Sequence, residues 1–124
     1  MPLVKIEMRK GHLTLEEKRA LFAAVHDSLV VTFGVAEHDR TQRLYEHDDE
    51  HFEIPPGHGD RYVVIEIDAF PGRSVEAKRA LYHEIVTRLE PVGIPRQDVL
   101  IVLRELPPEN WGVRGGQAGG DLRS

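Results

Sequence analysis

The sequence predicts an α/β (α+β) fold: a tandem βαβ repeat whose four-stranded, mostly parallel sheet carries two helices on one face. Three observations lead there. Lys18-Arg19-Ala20-Leu21 recurs as Lys78-Arg79-Ala80-Leu81, with Phe22 and Tyr82 in matching places. Ile6-Glu7-Met8 answers to Ile65-Glu66-Ile67 and Gly34-Val35 to Gly93-Ile94, so the likeness runs through strand, helix and turn. Each copy also reads as apolar strand, amphipathic helix, apolar strand.

The first strand runs from Leu3 to Met8, where β-branched and apolar residues dominate. Thr14, followed three residues on by Glu17, makes a capping box, which starts the first helix at about Leu15. Leu21, Val25 and Leu29 lie on one face of it, and it ends near Gly34, the residue type that leaves a helix through the left-handed region. Thr41 to His47 is the next strand, and the Pro-, Gly- and His-rich stretch from Asp48 to Asp60 reads as irregular. The second copy repeats the order: a strand from Tyr62 to Phe70, a helix capped by Ser74 and starting at Val75, a stripe of Leu81, Ile85 and Leu89, a stop near Gly93, and a strand from Val99 to Leu106. A helical crossover implies parallel, right-handed pairing within each copy. The units span about 2–47 and 61–106 of a single domain, 1–124, with a tail over 107–124. There Gly112, Gly115, Gly116, Gly119 and Gly120 around Trp111 mark either a small hairpin or a fraying end. The run Val99-Leu100-Ile101-Val102-Leu103 is apolar at every position, so both of its sides need cover, and two helices supply only one. A partner subunit is the natural cover for the other.

Composition closes several routes. A chain of 124 residues, 40% hydrophobic and 30% charged, is of the size and make-up of one globular domain. No apolar run of about 18 residues is present and the N-terminus lacks a signal-peptide h-region, so no membrane partner and a cytoplasmic address are expected. The absence of cysteine removes disulfides, thiolate metal sites and cysteine nucleophiles together. The net charge of −5 is spread along the chain rather than gathered in a basic face, which argues against a nucleic-acid partner. His47, Asp48, Asp49, Glu50 and His51 crowd into one loop without a spaced scaffold and read as a solvated acidic stretch. No metal and no cofactor are expected.

Four further segments carry a resemblance: Met1-Pro2-Leu3, Phe33-Gly34-Val35 with Asp39-Arg40-Thr41-Gln42, Arg73-Ser74 before Glu76-Ala77-Lys78, and Asn110-Trp111 with its glycine-rich follow-on. In this order the chain resembles the tautomerase superfamily, and within it malonate semialdehyde decarboxylase and related tautomerases. The resemblance implies a homotrimer in which Pro2 lies at the base of a pocket walled partly by a neighbouring subunit. It also implies an aspartate at Asp39 and two arginines as helpers; the second falls at Arg73, whereas Pro71 stands where the first would be.

Removal of Met1 would leave Pro2 with a free secondary amine. An ordinary α-amine titrates near ~7.7–8.0, and an apolar surrounding disfavours its charged form, so Pro2 becomes a general base at neutral pH. Arg73, just before the second helix, is suited to hold a substrate carboxylate; its counterpart in the first copy is Leu13, so the fold itself does not call for it twice. Asp39 has Asp98 as its counterpart, leaving a turn-forming role and a catalytic one both open. Arg40, opposite Val99, binds substrate or, the weightier reading, joins a salt bridge. Trp111 either closes over a pocket or staples the tail to the core. The expected function is a cofactor-free tautomerase acting on a small 2-oxo carboxylate. Its alternatives are a decarboxylase-like lyase or hydratase using Pro2, Asp39 and Arg73, and a non-enzymatic trimeric binding protein of the same fold.

Overall fold

The computed structural model describes residues 2–121. The two copies form β1 (Leu3–Arg9), α1 (Leu15–Phe33), β2 (Thr41–His47), β3 (Val63–Ala69), α2 (Val75–Leu89) and β4 (Val99–Glu105). The sheet order is β2-β1-β3-β4. Within each copy the strands are parallel, as a helical crossover demands. Between copies β1 and β3 are antiparallel, with Ile6 directly opposite Ile65, so a local two-fold relates the halves and the sheet is mixed.

The alternation expected of a half-covered strand is kept in both central strands. Val4, Ile6 and Met8 on β1 and Val63, Ile65, Ile67 and Ala69 on β3 are buried under the helices. The predicted stripes, Leu21-Val25-Leu29 and Leu81-Ile85-Leu89, meet them and are buried throughout. Each such side chain is worth about 1.5–3 kcal/mol on leaving water, against ~0–1 kcal/mol for an exposed ion pair, so this single face holds the fold together.

The caps form as expected. The Glu17 N–H donates to Thr14 Oγ1 (3.1 Å), the Thr14 N–H to Glu17 Oε1 (2.9 Å), and the Ala77 N–H to Ser74 Oγ (3.1 Å). Gly34, at φ 68°, turns the chain out of α1 with its N–H on the Val30 carbonyl. The second helix stops sooner than its Gly93 suggests. It ends at Leu89 and continues as a 3-10 turn, Glu90–Val92, because Pro91 has no N–H to give to the preceding turn.

The tail takes the hairpin reading: β5 (Gly112–Val113) pairs with β6 (Gln117–Ala118), flanked by 3-10 turns. The Asp48–Asp60 loop is irregular apart from a 3-10 turn at Asp49–His51. Among the described residues no helix is long and apolar enough to cross a membrane.

The sheet face away from the helices is mixed in character. Polar contacts cross it, with Arg104 ion-paired to Glu66 (2.7 Å) and Asp68 (2.9 Å) and the His47 ring within hydrogen-bonding distance of Glu7 (2.8 Å). Towards the β4 edge Leu100 and Val102 stay 45% and 37% exposed, so this chain by itself leaves one side of the doubly apolar strand open.

Candidate active site

One end of the sheet gathers the residues singled out above. There β1 and β2 begin and β3 and β4 finish, since Leu3 pairs with Thr41 on one side and Asp68 on the other. Pro2 is one step further out, between the Asp39-Arg40 segment and the turn that follows Ala69. It is buried, and it shares the parity of Val4, Ile6 and Met8, the helix-facing side of the strand.

Arg73, in the turn between β3 and α2, is held at this same end. Its Nη2 donates to the Phe33 carbonyl (3.0 Å) and its Nη1 to the Phe70 carbonyl (3.3 Å), while the guanidinium lies 4.8 Å from the centre of the Phe33 ring. Arg73 thus satisfies a carbonyl at the end of α1, where intrahelical partners run out, and stacks on an aromatic face. Two bonds leave much of its five-donor fork for an anion. The Glu105 carboxyl is held below the usual carboxylate value, foremost by a hydrogen bond from Lys78 (2.8 Å), with the Lys78 charge, the Gly72 N–H and the Arg73 charge adding to it against partial desolvation. It therefore remains an anion beside the Arg73 cation.

The duplication separates what the fold needs from what one end adds. Lys78–Glu105 recurs as Lys18–Glu46 (2.7 Å), so that pair belongs to the fold. Arg73 has no such twin, because Leu13 is buried in the core. Sequence reasoning missed Glu105; the signal was a Lys in each repeated helix matched by a Glu near the end of each following strand.

The two aspartates are not equivalent either. Asp98 is buried and accepts from the His58 ring (2.7 Å) and the Gly59 N–H (3.3 Å). Asp39 is half-buried, in a turn closed by its own N–H on the Ala36 carbonyl (3.0 Å). Arg40 is exposed and forms no ion pair among the described residues, so the salt bridge anticipated for it is not made there. The indole of Trp111 packs edge-on against Phe70 (5.5 Å between ring centres), donates to the Leu106 carbonyl (3.3 Å), and its backbone carbonyl accepts from Gly119 (2.8 Å). It staples the tail beside the turn that leads to Arg73.

At the opposite end of the sheet, the local two-fold puts Arg61 in the place of Pro2. Its Nη1 donates to the Val92 carbonyl (3.1 Å) and to Glu17 (3.0 Å), and it lies so close to Gly93 that a Cβ there would come within 2.5 Å. The place equivalent to that of Pro2 is thus taken by a bonded side chain, and Arg61, internal to the chain, cannot offer a terminal amine. Nearby, a depression of about 480 Å³ is lined by Lys10, Gly11, Asp48, Asp49 and Glu50. Donor atoms of Asp48, Glu50 and His51 come within 4.8 Å of one another here, closer than the crowded loop suggested, but all three residues are exposed.

Family models described as tautomerase enzyme match residues 39–114 and residues 2–58. The chain belongs to the tautomerase family. Among its tautomerase relatives is the probable tautomerase YusQ of Bacillus subtilis (strain 168), 27% identical over 124 residues, which cover 95% of this chain and 97% of YusQ. Solved structures agree with the fold. The FG41 malonate semialdehyde decarboxylase inhibited by 3-bromopropiolate superposes with a TM-score of 0.87 at 30% identity over 97% of each chain. A fused 4-OT, the Q0 wild-type symmetric trimer, gives 0.83 at 27% identity over 95% of this chain and 96% of its own. The resemblance read from the segments around Pro2, Asp39, Arg73 and Trp111 is thereby confirmed at the level of the superfamily, and a tautomerase-type enzyme follows from it.

Proposed function

We propose that this chain is a cofactor-free tautomerase that interconverts the enol and keto forms of a small 2-oxo carboxylate. The amine of Pro2, freed by removal of Met1, is the general base and Arg73 the carboxylate clamp. The observation that carries the reading is the asymmetry between the two ends of the sheet: one brings a buried Pro2 and an arginine without a structural twin to the same end, the other has the bonded Arg61 in the place of Pro2.

The free-base amine takes the proton of the enol hydroxyl as the C–O bond becomes a carbonyl, and the resulting ammonium returns a proton to the adjacent carbon. No proton or electron is gained overall. Arg73 holds the carboxylate end so that the reacting carbon lies over the amine, which restricts the encounter to a productive geometry. The guanidinium also lowers the amine pKa, since a like charge nearby disfavours the ammonium. Arg40 and Trp111, on either side, complete the substrate contacts. A homotrimer is part of the reading: the open sheet face with Leu100 and Val102 needs cover, and a fused 4-OT relative is a symmetric trimer.

A second reading, a lyase or hydratase in which Asp39 activates water, draws on the likeness to malonate semialdehyde decarboxylase and on the place of the half-buried Asp39 at the Pro2 end of the sheet. The Asp39→Asn variant separates the two. Under the tautomerase reading, phenylenolpyruvate ketonisation stays within a few-fold of wild type. Decarboxylation or hydration of a 3-oxo or acetylenic acid, if the wild type performs it, falls by about 10²–10⁴, the range expected on losing a general base. A comparable collapse of ketonisation would assign the base role to Asp39 instead.

A further inference from the structure

Of the buried polar side chains among the described residues, Ser28 and Asp98 are satisfied. The Ser28 hydroxyl donates to the Ala24 carbonyl (2.7 Å), and Asp98 accepts two bonds. His26 is the exception. At 1% exposure on α1, its Nε2 has no hydrogen-bond partner among the described residues, and the atom in reach is Oε2 of Glu37, 3.4 Å away. A buried ring nitrogen is retained against an apolar replacement only when something repays its desolvation.

The duplication shows that the fold does not require it. The second copy has Val86 at this position of its helix and Arg96 in place of Glu37, and Arg96 pairs with Glu90 instead (2.6 Å). Gln42 follows the same pattern: its counterpart in the sheet, Val99, which lies beside Val63 as Gln42 lies beside Val4, packs against the core, whereas the Gln42 amide donates to the Phe22 carbonyl (2.8 Å). Both polar substitutions therefore belong to the half that carries Pro2. They flank one segment, because Glu37 is two residues before Asp39, and Gln42, which pairs with Val4 across the strands, is two residues after Arg40. Since α1 runs back along the sheet towards Pro2, His26 is one helical turn nearer that end than Phe22.

We propose that His26 is a positioning residue. Through Glu37 it sets the Asp39-Arg40 segment against Pro2, and it acts on catalysis only by way of that segment. The inference deepens the tautomerase reading and rests on it for its kinetic consequence, but the contact itself is testable without turnover. Glu37 is 75% exposed, so its replacement leaves the core intact.

The test is Glu37→Ala, with Glu37→Gln as the conservative variant and His26→Val as the residue type the second copy carries. Amide hydrogen exchange at Asp39 and Arg40, whose N–H groups close the segment on Ala36 and His38, should quicken about tenfold in Glu37→Ala and in His26→Val, with no further gain in the double variant. Glu37→Gln, which still offers an oxygen to Nε2, should return exchange to near the wild-type rate. In Glu37→Ala, kcat should fall about tenfold to a hundredfold with KM within twofold and an unchanged melting temperature, the mark of displaced geometry. Wild-type exchange at both amides in Glu37→Ala would overturn the proposal. So would additive effects of the two substitutions, or an unchanged kcat in an active enzyme. If Pro2→Ala proves fully active, the proline reading fails separately and the exchange result still decides the role of His26.

Discussion

Replacing Pro2 by alanine is expected to lower kcat for phenylenolpyruvate by about 10²–10⁴ while the protein keeps its fold. That range is what a positioned general base contributes. The variant still ends in an amine once Met1 is removed, so the loss comes from geometry rather than from a missing group. The proline ring holds its nitrogen on a fixed torsion, whereas a primary amine on alanine rotates and is more readily solvated. Pro2 precedes the ladder of β1, and the nearest strand pairings, from Leu3 onward, do not use it. Circular dichroism and the melting temperature should therefore change little, and steady-state kinetics on the same sample carry the result. Turnover equal to wild type would remove Pro2 from the mechanism.

Arg73→Ala is expected to act on binding and on stability at once. Hydrogen bonds to a charged partner contribute about 1.5–3 kcal/mol each, so losing one to the substrate carboxylate lowers kcat/KM by roughly 10–150-fold, mostly through KM. The same change leaves the carbonyls of Phe33 and Phe70 without their guanidinium donor and strips the cation from the Phe33 ring. That part shows as a drop of a few degrees in melting temperature, on the order expected for ~1 kcal/mol in a domain of this size. Arg73→Lys separates the effects. It keeps the charge but not the planar fork, so KM recovers in part while the bridge between two carbonyls and the aromatic stack does not. A variant that loses stability and keeps the wild-type KM would leave Arg73 a purely structural residue.

Much of the fold was legible because the signals are local. The Thr14 and Ser74 caps and the stripes from Leu21 and Leu81 depend on residues within a turn or two of one another, and periodicity reads such spacing directly. The antiparallel join between β1 and β3 was not, since it depends on how two distant copies face each other across Ile6 and Ile65. The early end of α2 is encoded by Pro91, two residues before the Gly93 that marks the end of the following 3-10 turn.

The candidate site divides in the same way. Pro2 stood out by its place in the chain, and Arg73 by the mismatch with Leu13. The bonds that hold Arg73 run to Phe33, on another helix, and the Lys78–Glu105 pair joins a helix to the end of a strand. Arg61 bonded in the equivalent place at the opposite end, and the approach of His26 to Glu37, likewise need the tertiary arrangement before they have meaning. In the folded chain the repeat separates shared contacts from those of a single copy. It identifies Lys18–Glu46 and Lys78–Glu105 as common property of both halves, His26 and Gln42 as particular to the first and Arg73 as particular to the second.

The decisive measurement is a nitrogen-15 NMR titration of the Pro2 nitrogen in protein whose intact mass shows Met1 removed. A single titration is expected, with a midpoint below the ~7.7–8.0 of an ordinary α-amine, matched by the limb of the kcat/KM profile and moving upward in Arg73→Ala, where the neighbouring cation is gone. A nitrogen that does not titrate because it remains in a peptide bond, or one with an ordinary midpoint indifferent to Arg73, would contradict it.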